Sequence, residues 1–384
     1  MKFVIAPDSF KGGLTAKQAA ETMMTGIKRV YPEAEYRLVP MADGGEGTVQ
    51  SLVDATDGRI ITADVHNPFN KLVKASYGML GDGKTAVIEM AAASGIQFIN
   101  EQTANPLVTT TYGTGELIIN AIDNGAQKII VGIGGSATVD GGAGMAQALG
   151  ARLLKADGNP IGLGGGALAE LSQIDLSQID SRVLKTTILI ASDVTNPLTG
   201  PDGAANVFGP QKGATPEMVK VLDQSLRHYA KVIAKSTGKQ VDQLAGAGAA
   251  GGLGAGLLAF TKAQMQHGIE LVIEATNLKE KAADADFVFT GEGGIDFQTK
   301  FGKTPYGVAK ACKSVAPNAP VIVLAGNIGK GVDSLYTADA IDAIFATPAG
   351  AKPLAKALKD ASQDIAQTAE NVARLIKATQ QQRV

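Results

Sequence analysis

Short apolar runs alternate with amphipathic stretches along most of the chain, a pattern typical of α/β proteins. The first run, residues 2–6, is followed by a polar loop and a helical pattern. Thr15, with Gln18 three positions later, forms a capping box and predicts the start of that helix. A second strand is predicted at 36–40, and a glycine-rich loop then leads into a helix from about Thr48.

Between residues 60 and 96 the pattern changes to extended segments. Two of them are joined by Gly81-Asp82-Gly83, and an Asp-Gly turn between extended runs predicts an antiparallel hairpin. This change places a domain boundary near residues 60–100. Beyond it strands and helices alternate again. The predicted strands are 128–133, 186–191, 287–290, 321–325 and 341–346. The predicted helices are 115–124, one ending near 154, 216–236, 305–315 and 354–378.

A chain of 384 residues exceeds one compact core of ordinary size, so two α/β domains are expected. Its 47 glycines favour tight turns and close backbone approach to ligands. The formal net charge of −2 gives no electrostatic footprint for nucleic acid or an anionic membrane. Because Cys312 is the only cysteine and no apolar run approaches the ~18 residues of a membrane span, we expect a cytoplasmic protein without disulfides.

Glycine-rich loops that carry carboxylates follow several predicted strands. The first contains Asp8, which can orient or deprotonate a hydroxyl, and Lys11, which can neutralise a carboxylate or phosphate. An Asx turn with a solvated lysine is an equal alternative for this loop. The second, residues 42–47, holds two carboxylates including Asp43, and oxygen ligands of this kind suit Mg²⁺.

The most distinctive loop spans residues 132–144. It contains paired glycines, two hydroxyls and Asp140, and a helix predicted near Gly142 would offer free N–H groups to an anion. The fourth loop, residues 290–303, repeats the theme and ends in a lysine. Amides and lysines for phosphate, carboxylates for Mg²⁺ and a base for a hydroxyl together indicate phosphoryl transfer.

Two familiar nucleotide-binding motifs are disfavoured. Residues 78–85, GMLGDGKT, match the P-loop pattern letter for letter, but a P-loop must lead into a helix and a strand is predicted here. We therefore interpret 78–85 as the hairpin turn. A dinucleotide fingerprint starting at Gly132 is weak, because Ala137 occupies the third glycine position and no strand ending in an acidic residue follows.

The chain resembles the bacterial glycerate kinases that phosphorylate D-glycerate. One departure from the family pattern is Gly12-Gly13, where relatives often carry Glu-Ser. The segments that carry the resemblance run in order over nearly the full chain and are APDSFKGGLTA, VPMADGGEGT, IEMAAASG, GTGELI, GIGGSATVDGGAGMAQALGA, SDVTNPLTGPDGA, FGPQKGA, GAGAAGGLGAG and TGEGGIDFQTKFGKTPYGVA.

The resemblance implies phosphorylation of D-glycerate by ATP with Mg²⁺, giving 2-phosphoglycerate and ADP. It also implies an α/β fold of two domains with Rossmann-like or flavodoxin-like parallel sheets, one inserted in the other, with the active site in the cleft between them. The expected discontinuous domain comprises residues 1–65 and 285–384. The inserted domain would comprise residues 66–284 and carry both the hairpin and the glycine-rich phosphate loop.

Matching the motifs residue by residue also implies roles for individual side chains. The expected catalytic group is Asp8, Lys11, Asp43 and Asp193. The expected ATP-binding residues are Gly134, Gly135, Ser136, Asp140, Glu292, Asp296 and Lys303. Mg²⁺ would be held by Asp193 and Glu292. Either Asp8 or Asp193 would orient the C2 hydroxyl, and the choice between them stays open.

Two other functions remain alternatives at this stage. A kinase of the same fold could act on another small hydroxy acid or give the 3-phospho product, and a substrate panel separates these cases. A non-catalytic nucleotide or metabolite sensor would be stabilised by ligand without producing ADP. The sequence leaves the oligomeric state open, including a homo-oligomer.

Overall fold

The computed structural model describes residues 1–381, which form two compact units. The first comprises residues 1–43, 50–57 and the chain from 268 onward, and the second comprises 44–49 and 58–267. The α-helices are α1 (Ala16–Lys28), α2 (Thr48–Ala55), α3 (Ala91–Ser94), α4 (Tyr112–Asp123), α5 (Ala143–Ala148), α6 (Ala204–Phe208), α7 (Pro216–Thr237), α8 (Ala249–Phe260), α9 (Gly268–Ala275), α10 (Leu278–Ala282), α11 (Thr304–Lys313) and α12 (Leu354–Gln381).

Strands and short 3₁₀ turns complete the described secondary structure. The strands are β1 (Lys2–Ile5), β2 (Glu35–Leu38), β3 (Arg59–His66), β4 (Leu72–Met79), β5 (Thr85–Glu89), β6 (Lys128–Gly132), β7 (Arg152–Leu154), β8 (Gln173–Asp175), β9 (Thr187–Ala191), β10 (Gln264–Gln266), β11 (Phe287–Glu292), β12 (Val321–Ala325) and β13 (Ala343–Ala346). The 3₁₀ turns are Ile96–Phe98, Gly165–Glu170, Pro210–Lys212, Phe297–Lys300 and Val332–Leu335.

The first unit is built on a five-stranded sheet in the order β13-β12-β11-β1-β2. All its pairings are parallel. The chain goes from β1 to β2 on one side and from β11 through β12 to β13 on the other, so the strand order reverses between β1 and β11. In open parallel sheets, such a reversal at the carboxyl ends is where ligands bind.

Helices α1 and α12 pack on the aromatic face of this sheet. The core there includes Phe3, Phe289 and Leu324, all fully buried. Gly26 lies where α1 meets α12, and a Cβ at this position would overlap the backbone carbonyl of Ala366. The two helices therefore approach more closely than side chains would allow, which fixes the framework beneath β1 and β11.

The second unit contains a six-stranded sheet in the order β10-β9-β6-β5-β4-β3 and a separate β7-β8 pair. Strands β10, β9, β6 and β5 are parallel to one another, whereas β5-β4 and β4-β3 are antiparallel. The parallel strands end at the glycine-rich loop after β6 and at the loops after β9 and β10. The carboxyl edge of this sheet thus carries most of the candidate residues of the second unit.

The packing of the first turn of helix α8 explains why this segment is so rich in small residues. Ala250, Gly251 and Gly252 have left-handed backbone angles, with φ values of 53°, 68° and 91°. A Cβ on Gly252 would lie 2.8 Å from the Cα of Gly141, and one on Gly251 would overlap the carbonyl oxygen of Thr138. The start of α8 therefore packs backbone against backbone on the glycine-rich loop after β6.

The predicted α/β class with parallel sheets is confirmed, as are the capping box of α1 and the β4–β5 hairpin. Two segments were predicted wrongly. Residues 91–94, expected to be extended, form helix α3 after β5 ends at Glu89. The helix expected to end near residue 154 ends at Ala148, because Gly150, with φ of 101°, breaks it and Arg152–Leu154 pairs as strand β7. Among residues 1–381, no helix is both long and apolar enough to cross a membrane.

Candidate active site

Two carboxylates flank the point where the strand order of the first unit reverses. Asp8 follows β1, and its N–H donates to the Gly291 carbonyl oxygen at 2.9 Å. Glu292 is the last residue of β11, the neighbouring parallel strand. Because both strands end at the same sheet edge, these two acidic side chains lie close together at the edge where open parallel sheets bind ligands.

Asp8 is held by hydrogen bonds to both of its oxygens. The Thr304 hydroxyl donates to Oδ2 at 2.6 Å, and the Ser9 N–H donates to Oδ1 at 2.6 Å. Burial nevertheless raises the pKa of Asp8 from 3.8 to about 6, since it outweighs the two hydrogen bonds that favour the ionised form, and the nearby charge of Asp43 adds to the rise. A fixed carboxylate with a pKa near neutrality has the properties of a general base.

Glu292 is perturbed in the same direction. Burial raises its pKa to about 7, with Lys303 opposing the rise and the charges of Asp8 and Asp43 adding to it. The Thr299 hydroxyl donates to Glu292 Oε1 at 3.3 Å. Two neighbouring carboxyls whose pKa values are raised by burial, beside a lysine, mark a candidate functional site.

The remaining residues predicted for this part of the site lie in the surrounding loops. Asp296 caps the 3₁₀ turn Phe297–Lys300 through its Oδ1, and the same oxygen lies 3.9 Å from Lys303 Nζ. Lys11 is exposed, and its backbone N–H is close to Gly293, where a Cβ would lie 3.4 Å from it. The loop after β1 is therefore packed against the loop after β11. Asp8, Lys11, Glu292, Asp296 and Lys303, the residues predicted in these two loops, thus all lie on adjacent loops of the first unit.

In the second unit, the loop after β6 presents Gly134 and Gly135 at the surface. Among residues 1–381, their N–H groups have no hydrogen-bond acceptor. Ser136 follows them, 7% exposed, and pairs with Gly95 in an isolated antiparallel bridge. Gly135 has φ of 69°, a left-handed conformation that glycine adopts without strain. Exposed amides on a fixed loop can bind an anion.

The expectation of free N–H groups near Gly142 is wrong, because Asp140 already occupies that helix start. Asp140 is fully buried, and its carboxylate accepts from the N–H groups of Gly142 and Gly144 at 3.1 and 3.2 Å. It also accepts from the Thr111 N–H at 2.8 Å and from the Thr111 hydroxyl. An internal carboxylate thus serves as the anion at the start of α5 and joins it to the segment before α4.

Lys212 lies in the family segment FGPQKGA, and no role was predicted for it from the sequence. Its side chain is 1% exposed, and Nζ donates to Ser136 Oγ at 2.6 Å and to the Thr138 carbonyl oxygen at 2.7 Å. Burial lowers the pKa of Lys212 to about 7, with Asp140 acting in the opposite direction. The only local signal was a lysine in the glycine-flanked FGPQKGA segment, which gives no indication of burial.

Asp193 follows β9 at the same sheet edge as the loop after β6. It is exposed, and its Oδ1 lies 2.9 Å from Nδ1 of His267, which follows the neighbouring strand β10. Asp193 belongs to the second unit, whereas Asp8, Asp43 and Glu292 belong to the first.

Residues 78–85 form the turn predicted from the sequence. Asp82 Oδ1 accepts from the N–H groups of Lys84 and Thr85, both at 2.8 Å, and Oδ2 accepts from the Thr85 hydroxyl at 2.6 Å. Strand β5 begins at Thr85, so no helix N-terminus faces this loop. The side chain of Asp82 already occupies the N–H groups that would bind phosphate in a P-loop.

Oxygen ligands suitable for a hard cation are present on both units. Among the described residues there is no group of three or more histidine, cysteine, aspartate or glutamate side chains placed to hold a metal ion. Mg²⁺ does not need such a group, because it commonly takes one or two protein carboxylates and completes its shell with substrate phosphates and water. Glu292 and Asp193, with carboxylate oxygens, fit this donor chemistry.

The fold and these loops define an α/β protein with carboxylates and lysines at the ends of parallel strands, which is the class of site used for reactions on phosphate groups. The model of the glycerate kinase family matches residues 3–377. The chain is 54% identical over 377 residues to a Bacillus subtilis (strain 168) glycerate kinase, covering 98% of each chain. It is 49% identical over 373 residues to Escherichia coli (strain K12) glycerate 2-kinase, covering 97% of each.

A solved structure agrees with these relatives. The crystal structure of a Salmonella typhimurium LT2 protein assigned to glycerate kinase 2 superposes with a TM-score of 0.92 at 51% identity, covering 99% of each chain. The chain therefore belongs to the glycerate kinase family, as its motifs suggested. It is an enzyme of the kinase class.

Proposed function

We propose that this enzyme transfers the γ-phosphoryl group of ATP to the C2 hydroxyl of D-glycerate, giving 2-phosphoglycerate and ADP. The observation that carries the proposal is Asp8, a largely buried carboxylate with a pKa of about 6, fixed at a strand-order reversal. The relative from Escherichia coli named glycerate 2-kinase supports the choice of position on the substrate.

Asp8 would act as the base. Its ionised carboxylate accepts the proton of the C2 hydroxyl while the hydroxyl oxygen forms a bond to the γ-phosphorus and the bond from that phosphorus to ADP breaks. Thr304 and Ser9 donate to the two oxygens at 2.6 Å, so the carboxylate is aimed before substrate arrives. Because the pKa of Asp8 is about 6, its carboxylate is mostly ionised at pH 7. The same pKa is high enough for the carboxylate to accept a proton readily near neutral pH.

Lys11 and Lys303 would neutralise the negative charge of the carboxylate substrate and of the phosphate groups. Lys303 lowers the pKa of Glu292, so it acts electrostatically on the acidic cluster. We propose Glu292 and Asp193 as the protein ligands of Mg²⁺, with Asp43 and Asp296 supplying further negative charge nearby in the first unit. When bound, Mg²⁺ neutralises charge on the phosphate oxygens.

The loop after β6 would bind the phosphate groups of ATP. Gly134 and Gly135 offer exposed N–H groups, and Ser136 offers a hydroxyl. The predicted ATP-binding role of Asp140 is best taken as indirect. Its oxygens already accept from Thr111, Gly142 and Gly144, so it would shape the loop rather than touch the nucleotide.

The direct test is a coupled ADP-release assay with ATP, Mg²⁺ and a panel of small hydroxy acids. The proposal predicts the highest kcat/KM with D-glycerate and no ADP release without an acceptor. A higher kcat/KM with another hydroxy acid would select the alternative substrate. Binding of ATP without ADP release under any condition would overturn the proposal in favour of a nucleotide sensor.

A further inference from the structure

Lys212 is a buried cation whose direct partners are neutral. It ends the 3₁₀ turn Pro210–Lys212, is 1% exposed, and donates to the Ser136 hydroxyl and the Thr138 carbonyl oxygen. Lysine is rarely this buried, because removing an ammonium from water is costly unless other groups compensate. Two neutral acceptors at 2.6 and 2.7 Å compensate only in part, and the pKa of about 7 reflects this.

The hydrogen bond to Ser136 determines where the serine hydrogen can point. A serine hydroxyl has one hydrogen and two lone pairs, and an ammonium can only donate. When Lys212 is protonated, Ser136 Oγ must accept from it, so the hydroxyl hydrogen is directed elsewhere. Within residues 1–381, Lys212 is the only hydrogen-bond partner of Ser136 Oγ, which leaves this hydrogen available to a ligand.

The surroundings of Ser136 indicate which kind of ligand that is. The serine follows two exposed glycines whose N–H groups have no acceptor in the described chain. Donors therefore converge on one loop, and the protonated form of Lys212 places a positive charge directly behind it. Amides, a hydroxyl hydrogen and a buried cation together favour an anion over a neutral or cationic group.

Building on the proposed function, we infer that Lys212 is a positioning residue for ATP: its ammonium holds Ser136 Oγ as an acceptor, so that the serine donates its hydrogen to a phosphate oxygen. Lys212 acts through Ser136 and also supplies positive charge beneath the loop. Its second bond, to the Thr138 carbonyl oxygen, fixes the backbone two residues further on. Both effects should favour phosphate binding rather than the binding of glycerate.

The test compares Lys212→Met, Ser136→Ala and the double variant in the full-length enzyme. Methionine keeps an unbranched apolar stem of similar length, which suits a buried position. Calorimetry with Mg²⁺ and a non-hydrolysable ATP analogue gives Kd, and steady-state kinetics gives KM for ATP and for D-glycerate separately. Each single variant should weaken analogue binding about 10- to 100-fold, the range for a hydrogen bond to a charged group.

The double variant tests whether the two residues act together. Because Lys212 acts through Ser136, the double variant should bind the analogue about as weakly as Lys212→Met alone, with KM for D-glycerate unchanged in all three. Independent roles would instead multiply the two losses. Tyr229→Phe is the matched control, since this fully buried hydroxyl in the same unit has no hydrogen-bond partner among residues 1–381, and its loss should leave Kd unchanged.

The outcomes separate this inference from the proposed function. Suppose the wild-type enzyme binds the analogue and phosphorylates glycerate. If Lys212→Met or Ser136→Ala then keeps the wild-type Kd, the inference about Lys212 is overturned and the proposed function stands. Multiplied losses in the double variant also overturn the inference about Lys212. A wild-type protein that neither binds the analogue nor turns over ATP overturns both. If Lys212→Met does not fold, Ser136→Ala alone still decides, because unchanged Kd in that variant refutes a donating serine.

Discussion

The hydrogen bond from Thr304 to Asp8 gives the sharpest prediction about the proposed base. Thr304 is fully buried at the first position of α11, and its hydroxyl donates to Asp8 Oδ2 at 2.6 Å. Thr304→Val keeps the shape of the side chain and removes only the donor. The donor favours the ionised carboxylate, so its removal must raise the pKa of Asp8.

The size of the effect follows from the strength of that bond. A hydrogen bond to a charged group contributes about 1.5–3 kcal/mol, and about 1.36 kcal/mol corresponds to one pKa unit. Because Asp8 keeps some solvent access, the lower end of this range is appropriate. In the proposed mechanism activity requires ionised Asp8, whose pKa is about 6, so the acid limb of kcat/KM should move to higher pH by ~1 pH unit.

The assay is the pH profile of kcat/KM for D-glycerate, measured from pH 5 to 9 at saturating Mg-ATP. Thr304→Ser retains the hydroxyl and should keep the wild-type profile. Thr299→Val removes the weaker, 3.3 Å bond to Glu292 and should leave the acid limb in place. If the limb moves with Thr299→Val and stays fixed with Thr304→Val, the titrating group is Glu292, whose pKa is about 7, and the reasoning about Asp8 is refuted.

Three further predictions concern turnover and stability. Asp8→Asn should abolish turnover while the cooperative thermal transition is retained, and near wild-type kcat would refute Asp8 as the base. Asp140→Ala should lower the free energy of unfolding in urea by ~3 kcal/mol or more, because several buried donors lose their acceptor, and a loss under ~1 kcal/mol would contradict its structural role. Gly238→Ala should lower the free energy of unfolding by ~1–2 kcal/mol. This loss comes from the left-handed backbone alone, because the new Cβ would meet nothing within 4 Å. Gly251→Ala should lower the free energy of unfolding in urea by ~2 kcal/mol more than Gly238→Ala does, because its Cβ would overlap the Thr138 carbonyl oxygen. Equal losses in the two variants would contradict the close packing of α8 on the loop after β6.

Local patterns were sufficient for most of the fold. The capping box of α1, the Asp-Gly hairpin and the individual strands each depend on residues within a few positions of one another, so periodicity and turn chemistry predicted them. One exception was the segment after α5. There Gly150 and the pairing of β7 with β8, which lies about twenty residues further on, override a locally helical pattern.

The candidate site was predictable only where it follows strand ends. Asp8 and Glu292 could be placed together because the carboxyl ends of parallel strands share one edge. The contact of Lys212 with Ser136 joins positions 76 residues apart, and nothing local indicates it. The role of Asp140 likewise depends on Thr111, which approaches from another segment. Long-range packing decides whether a polar residue faces a ligand or the interior.

The reaction proposed for this enzyme is phosphorylation of the C2 hydroxyl of D-glycerate. The most direct measurement is ³¹P NMR of a reaction containing the enzyme, ATP, Mg²⁺ and D-glycerate, with Asp8→Asn as the matched control. We expect the γ-phosphate signal of ATP to be replaced by the signals of ADP and 2-phosphoglycerate, and the control to show no change. Formation of 3-phosphoglycerate instead, or of no phosphoglycerate at all, would contradict it.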